Sequence, residues 1–156
     1  MNRTFALAPV RRTLTVTAPP ARAFEVFTAK IGLWWPKSHH VSAVEPETVV
    51  IEPRSGGRWY ERAPDGVECD IGKVLAWEPP ARLLLAWQLD ANFRYQADLV
   101  TEVEVRFVTE GDVTRVEFEH RNLERLGEHA EKVRGQISAP AGWPAILDLY
   151  VQFAGR

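Results

Sequence analysis

Gly142-Trp143-Pro144-Ala145-Ile146-Leu147-Asp148-Leu149-Tyr150-Val151-Gln152-Phe153-Ala154 is the stretch on which the fold turns. Trp143, Ile146, Leu147, Tyr150, Val151 and Ala154 recur at i, i+3, i+4, i+7, i+8 and i+11, one face of an α-helix. Leu149 and Phe153 widen that face, and Asp148 and Gln152 mark the polar side. A proline is tolerated only near a first turn, where its missing N–H costs little, so the helix should begin between Pro140 and Pro144. Gly155 and Arg156 close it. Burying Trp143, Ile146, Leu147, Tyr150 and Val151 would contribute at most about 8–14 kcal/mol, from ~1.5–3 per large side chain. A helix of about 12 residues, ~18 Å long, with so wide an apolar face needs a broad partner.

The preceding sequence supplies a sheet. Val10 to Ala18 alternates and is rich in branched residues, as a strand requires. Pro19-Pro20 stops it, and Ala23, Phe24, Phe27 and Ile31 follow helical spacing, predicting a short helix over residues 20–30. Gly32-Leu33-Trp34-Trp35-Pro36 is an apolar knot, and Lys37-Ser38-His39-His40 reads as a loop. Six further strands are expected at Thr48–Glu52, Arg58–Arg62, Val67–Trp77, Arg82–Asp90, Leu99–Thr109 and Val113–Arg121. Turn signals separate them, Ser55-Gly56-Gly57 and Pro64-Asp65-Gly66 among them. Such close, regular spacing implies an antiparallel meander. Leu123 to Gln136 has helical spacing weakened by Gly127. The order is strand, helix, strands, helix: an α+β domain.

The last hairpin has a register that can be argued. Val103, Val105 and Phe107 share a face, as do Val116, Phe118 and His120, and a slip of one residue would turn one set outward. A Gly111-Asp112 turn of type II′ pairs Glu110 with Val113, which sets Phe107 opposite Val116, Val105 opposite Phe118 and Val103 opposite His120. On the outer face Arg106 then meets Glu117, and Arg121 lies diagonal to Glu104, offsetting its poor partner Glu119.

The chain has 156 residues, 46% of them hydrophobic and 26% charged, with 19 basic against 21 acidic side chains. That fits one domain, read here as residues 1–156 with an N-terminal extension at 1–9. A net charge of −2 gives no reason to expect nucleic acid or an anionic membrane as partner. No apolar run reaches the ~18 residues of a membrane span. The start, Met1 to Pro9, has too short an apolar core for a signal peptide. The single cysteine, Cys69, excludes an internal disulfide and suits a reducing cytoplasm.

Several short motifs fall in a familiar order. They are Thr15-Val16-Thr17-Ala18-Pro19-Pro20 with Phe24 and Phe27, then Leu33-Trp34-Trp35, Gly56-Gly57-Arg58-Trp59 and Asp65-Gly66. After them come Gly72-Lys73-Val74-Leu75 running into Glu78-Pro79-Pro80-Ala81-Arg82-Leu83, then Leu85-Ala86-Trp87, Glu119-His120-Arg121 and Gly142-Trp143. In these the chain resembles, over residues 10–154, the START-like (SRPBCC) superfamily, and within it the activator of Hsp90 ATPase homologue 1-like family. The resemblance implies a helix-grip fold, in which a curved antiparallel sheet wraps a long C-terminal helix. It also implies a cavity between that helix and the sheet. The motifs mark turns and core positions, so they guide fold better than function.

Ten residues are candidate walls for a hydrophobic or amphipathic ligand in such a cavity: Trp34, Trp35, Trp59, Trp77, Trp87, Phe118, His120, Trp143, Leu147 and Tyr150. The competing reading is that these side chains fill the core. His120 lies on the apolar face of its strand, where it would hydrogen-bond a ligand, act as a base, or be satisfied internally. Trp34-Trp35-Pro36 would form a lid or cap the core. His39 and His40 diverge in an extended loop, and with one cysteine no metal site is expected. Cys69, Ser38, Ser42 and Ser138 sit in no nucleophile motif. No cofactor and no catalytic residue is assigned. Binding of a small hydrophobic molecule therefore leads. A cyclase, aromatase or hydrolase using His120 with Glu68 or Asp70 is the alternative. An Hsp90-related co-chaperone role comes third, since the family's eukaryotic namesake carries an N-terminal domain that this sequence lacks. A monomer or weak dimer through an edge strand is expected.

Overall fold

The computed structural model describes residues 7–155, so most of the extension placed at residues 1–9 lies outside the described part. Seven strands form one antiparallel sheet: β1 (Val10–Val16), β2 (Thr48–Ile51), β3 (Arg58–Arg62), β4 (Glu68–Glu78), β5 (Arg82–Trp87), β6 (Thr101–Glu110) and β7 (Val113–Arg121). Their order is β1-β7-β6-β5-β4-β3-β2, so the chain returns its first strand to pair with its last. The sheet curls around α4 (Trp143–Ala154), with α1 (Pro20–Thr28) and α2 (Ile31–Trp34) beside it and α3 (Ala130–Ser138) leading in. This is the helix-grip arrangement. Among the described residues no helix is long and apolar enough to cross a membrane.

The β6–β7 hairpin has the register that its apolar pattern demands. Phe107 faces Val116, Val105 faces Phe118 and Val103 faces His120. Gly111 has φ +62 while Asp112 does not enter the positive-φ region, which matches a type II′ turn. On the outer face Glu104 is opposite Glu119. Arg82, Arg106 and Arg121 neutralise it, at 2.6, 3.0 and 3.0 Å from its carboxylate oxygens.

The closing helix starts at Trp143 with Pro144 in its first turn, and its end has Gly155 as cap. Trp143, Ile146, Leu147, Tyr150 and Ala154 are buried, whereas Leu149, read as part of the apolar face, is 40% exposed. Aromatic contacts lock the layers together. Phe118 lies 4.6 Å from Trp143, Phe27 5.0 Å from Tyr150 and Phe24 5.2 Å from Phe107. Such edge and tilted pairs are worth about 0.5–1.5 kcal/mol each beyond their buried area.

Two expectations need correction. The segment from Leu123 is not one helix: Leu123–His129 is a 3-10 stretch, itself interrupted at Gly127 (φ +70), and α3 follows from Ala130. A glycine adopts that conformation without the steric penalty other residues incur. The Trp34 knot, in turn, is itself the one-turn helix α2, with Trp35 as its C-cap.

Candidate ligand cavity

Trp35, Trp87 and Trp143 come from three separate segments and face one cavity of about 460 Å³. It opens between the N-terminal end of α4, the end of α3, the β4–β5 end of the sheet and the loop after α2. Ile71, Leu89, Phe93, Ile137 and Ile146 add apolar wall, and Ser38, His39, His40, Glu61, Asn92 and Gln136 add polar groups.

The indoles support one another. Trp143 lies 5.5 Å from Trp87 and 5.9 Å from Trp35, and Trp59 stands behind them, 5.7 Å from Trp87 and 6.0 Å from Trp35. Gly142 explains why a glycine heads this helix. A Cβ there would sit 2.4 Å from the carbonyl oxygen of Ile137, so only glycine lets α3 end so close to the start of α4. Gly72 serves the sheet similarly: a Cβ would lie 1.7 Å from the Ala86 carbonyl oxygen. Its register partners on the flanking strands are Trp59 and Trp87, and the Trp59 ring lies 3.6 Å from where that Cβ would be.

The loop after α2 is strapped across the opening by polar bonds. Trp35 Nε1 donates to the His39 carbonyl (2.9 Å), and the His39 ring nitrogen Nε2 donates to the Ala141 carbonyl (2.7 Å) on the opposite wall. That leaves His39 Nδ1 to accept from the Ser38 hydroxyl (3.0 Å). Glu61 on β3 accepts from the main-chain N–H of Val41 at Oε2 and of Ser42 at Oε1 (3.0 Å). His40 Nδ1 donates to the Ser42 carbonyl (2.7 Å).

His120 sits outside the cavity, fully buried beneath Trp143. Trp143 Nε1 can only donate, so His120 Nδ1 accepts (3.1 Å) and Nε2 carries the proton, which goes to Thr101 Oγ1 (2.8 Å). The Thr101 hydroxyl donates in turn to the Trp87 carbonyl (3.3 Å). Burial pushes the imidazole down to about 3, so it stays neutral. It is a fully bonded support for Trp143. Glu68 and Asp70, the carboxylates considered as its helpers, are on the outer face and paired with Arg58 (each 2.8 Å).

The other sequence candidates divide by position. Trp34 donates its indole N–H to the Val26 carbonyl (2.7 Å) and packs on Phe27 and Tyr150. Trp77 lies 5.0 Å from Phe24, in a separate groove along α1. Trp59, Phe118, Leu147 and Tyr150 are core residues, and the Tyr150 hydroxyl donates to the Ala23 carbonyl (2.8 Å). The structure thus brings Trp35, Trp87 and Trp143 together at the cavity. Sequence reasoning passed over Glu61, although the alternation that turns Trp59 inward turns Glu61 inward as well. His39 and His40 were weighed only as metal ligands. Among the described residues no group of His, Cys, Asp and Glu is placed to hold a metal ion.

A curled sheet gripping a C-terminal helix, with a Trp-walled opening at the helix start, defines a helix-grip protein. The chain belongs to the activator of Hsp90 ATPase homolog 1-like family, whose model matches residues 17–153. Among solved structures, the anthrahydroquino-γ-pyrone synthase Txn09 is similar at 35% identity, over 94% of this chain and 97% of that one, with TM-score 0.66. The self-sacrificing resistance protein CalC from Micromonospora echinospora is similar at 32% identity, over 94% of this chain and 93% of that one, with TM-score 0.71. The Aha1 dimer from Colwellia psychrerythraea shares the fold at 15% identity, over 96% of this chain and 97% of that one, with TM-score 0.62. No curated protein matches the chain.

Proposed function

We propose that this protein binds a flat, largely apolar aromatic small molecule in the cavity at the start of α4. The observation that carries the reading is the convergence of Trp35, Trp87 and Trp143 on one space of about 460 Å³. Few side chains offer planar apolar surface at so low an entropic cost, and a polar rim on apolar walls is the usual build of a small-molecule site. Similarity to a γ-pyrone synthase supports a polycyclic, oxygenated ligand class.

That similarity also favours a second reading, a ring-forming enzyme using the same cavity. Its acid–base groups would be His39, His40 and Glu61 at the wall, because His120 is buried and neutral. An Hsp90-type partner gains less support. The outer sheet face carries ion pairs such as Arg11–Glu119 and Arg121–Glu102 where a large interface would need an apolar patch.

Tryptophan fluorescence and thermal unfolding with a panel of anthraquinones, flavonoids and fatty acids test the reading. Aromatic members should quench the emission and raise Tm. Gln136→Trp, a change at an exposed wall position that fills the opening, should abolish both effects while the protein stays folded. If no aromatic compound acts on the wild type, the proposal is wrong.

A further inference from the structure

Among the described residues, no Lys or Arg is paired with the carboxylate of Glu61. It is 1% exposed and lies on the cavity wall, and its bonds come from two main-chain N–H groups, those of Val41 and Ser42. Among the described residues neither Lys nor Arg lines the cavity. The neighbours across the strands do not help: Val49 on β2 is apolar, and Cys69 on β4 has its thiol pushed up, first by burial and then by the charge of Glu61. Arg58 and Arg62 alternate to the outer face, where they engage Glu68. Both oxygens of Glu61 accept an N–H, the arrangement suited to an ionised carboxylate, and a carboxylate has further lone pairs to offer. Burying such a charge without a partner is costly, and a ligand that supplied the partner would remove that cost.

The remaining wall chemistry points the same way. His40 spends its Nδ1 proton on the Ser42 carbonyl, which in the neutral ring leaves Nε2 as an acceptor. We infer, resting on the binding function proposed above, that the cavity selects a cationic ligand: an aromatic ring system bearing a protonated amine set against Glu61. The same field rejects anions, so fatty acids and aromatic carboxylates are excluded although the walls are apolar.

A matched set on one scaffold tests this: 9-(aminomethyl)anthracene as cation, 9-(hydroxymethyl)anthracene as neutral compound and anthracene-9-carboxylate as anion, each titrated by tryptophan quenching. The amine should bind at least about tenfold more tightly than the alcohol, and the carboxylate more weakly than either. Glu61→Gln keeps the size but loses one of the two acceptor oxygens that hold the strap, so the alcohol serves as the internal control: the amine's advantage over the alcohol should disappear in the variant, whatever the change in the alcohol's own affinity. Equal binding of all three by the wild type overturns the cation assignment and leaves aromatic binding intact. An equal loss for all three in Glu61→Gln would also overturn it, showing that Glu61 serves only to hold the Val41–Ser42 strap. Binding of none of them would sink the binding function and this inference together.

Discussion

His120 should make this protein lose stability in mild acid, before its carboxylates begin to titrate. The imidazole is fully buried and neutral, held by Trp143 and Thr101, and burial lowers it from 6.5 to about 3. In the unfolded chain it takes up a proton near 6.5, so below that value the unfolded state binds more protons than the folded one. The contribution is therefore fully present above about pH 6.5 and is lost as pH falls toward 3. Working the linkage from pH ~7.5 to ~5 gives a loss of about 2 kcal/mol from this one group. His120→Gln is the informative change, because an amide can still accept from Trp143 and donate to Thr101 but does not titrate. It should cost about 1–2 kcal/mol near pH 7.5 through poorer packing and bonding. Near pH ~5 the gap to wild type should close, because the variant is spared the loss of about 2 kcal/mol. Urea unfolding followed by tryptophan fluorescence at the two pH values measures both. If wild type and His120→Gln lose the same stability between them, His120 is not the buried neutral group described here.

Glu104 gives the opposite kind of test. Burial alone would push its carboxyl up, but hydrogen bonds from Arg82 and Arg121 outweigh that and hold it below the ordinary 4.5. Glu104→Gln should cost about 1–3 kcal/mol at neutral pH. The difference should shrink below about pH 4.5, where the wild-type carboxylate loses its advantage as it protonates, and chemical unfolding across that range measures it. Gly72→Ala should be far worse, above about 4 kcal/mol or no folded protein, since its Cβ would sit 1.7 Å from a backbone oxygen. Soluble yield and circular dichroism decide that case.

Much of the fold was legible because side-chain direction follows local backbone period. Alternation set the inner and outer faces of β6 and β7, and the Gly111-Asp112 turn set their register, as the pairing of Val105 with Phe118 shows. Helical spacing with Pro144 placed the closing helix from Trp143 to Ala154. Gly127 stood out as a weak point in a helical pattern, but the break itself was not legible, since helical spacing continues across it and only the backbone angle reveals the kink. The candidate site was legible in part. Aromatic residues marked an interior, but Trp77 and Trp143 look alike in sequence, though one lies along α1 and the other walls the cavity. Glu61 was overlooked because the reading sought apolar walls.

By itself, then, the sequence determined which residues turn inward, where strands and the closing helix begin, and how the last hairpin pairs. These depend on neighbours a few positions apart. Only the tertiary structure decided which inward residues leave a void. A cavity is the difference between the volume enclosed and the volume filled, and its walls here span residues 35 to 146. The same closure placed β1 beside β7, sealed His120 beneath Trp143, and left Glu61 on the cavity wall with no Lys or Arg paired with it among the described residues.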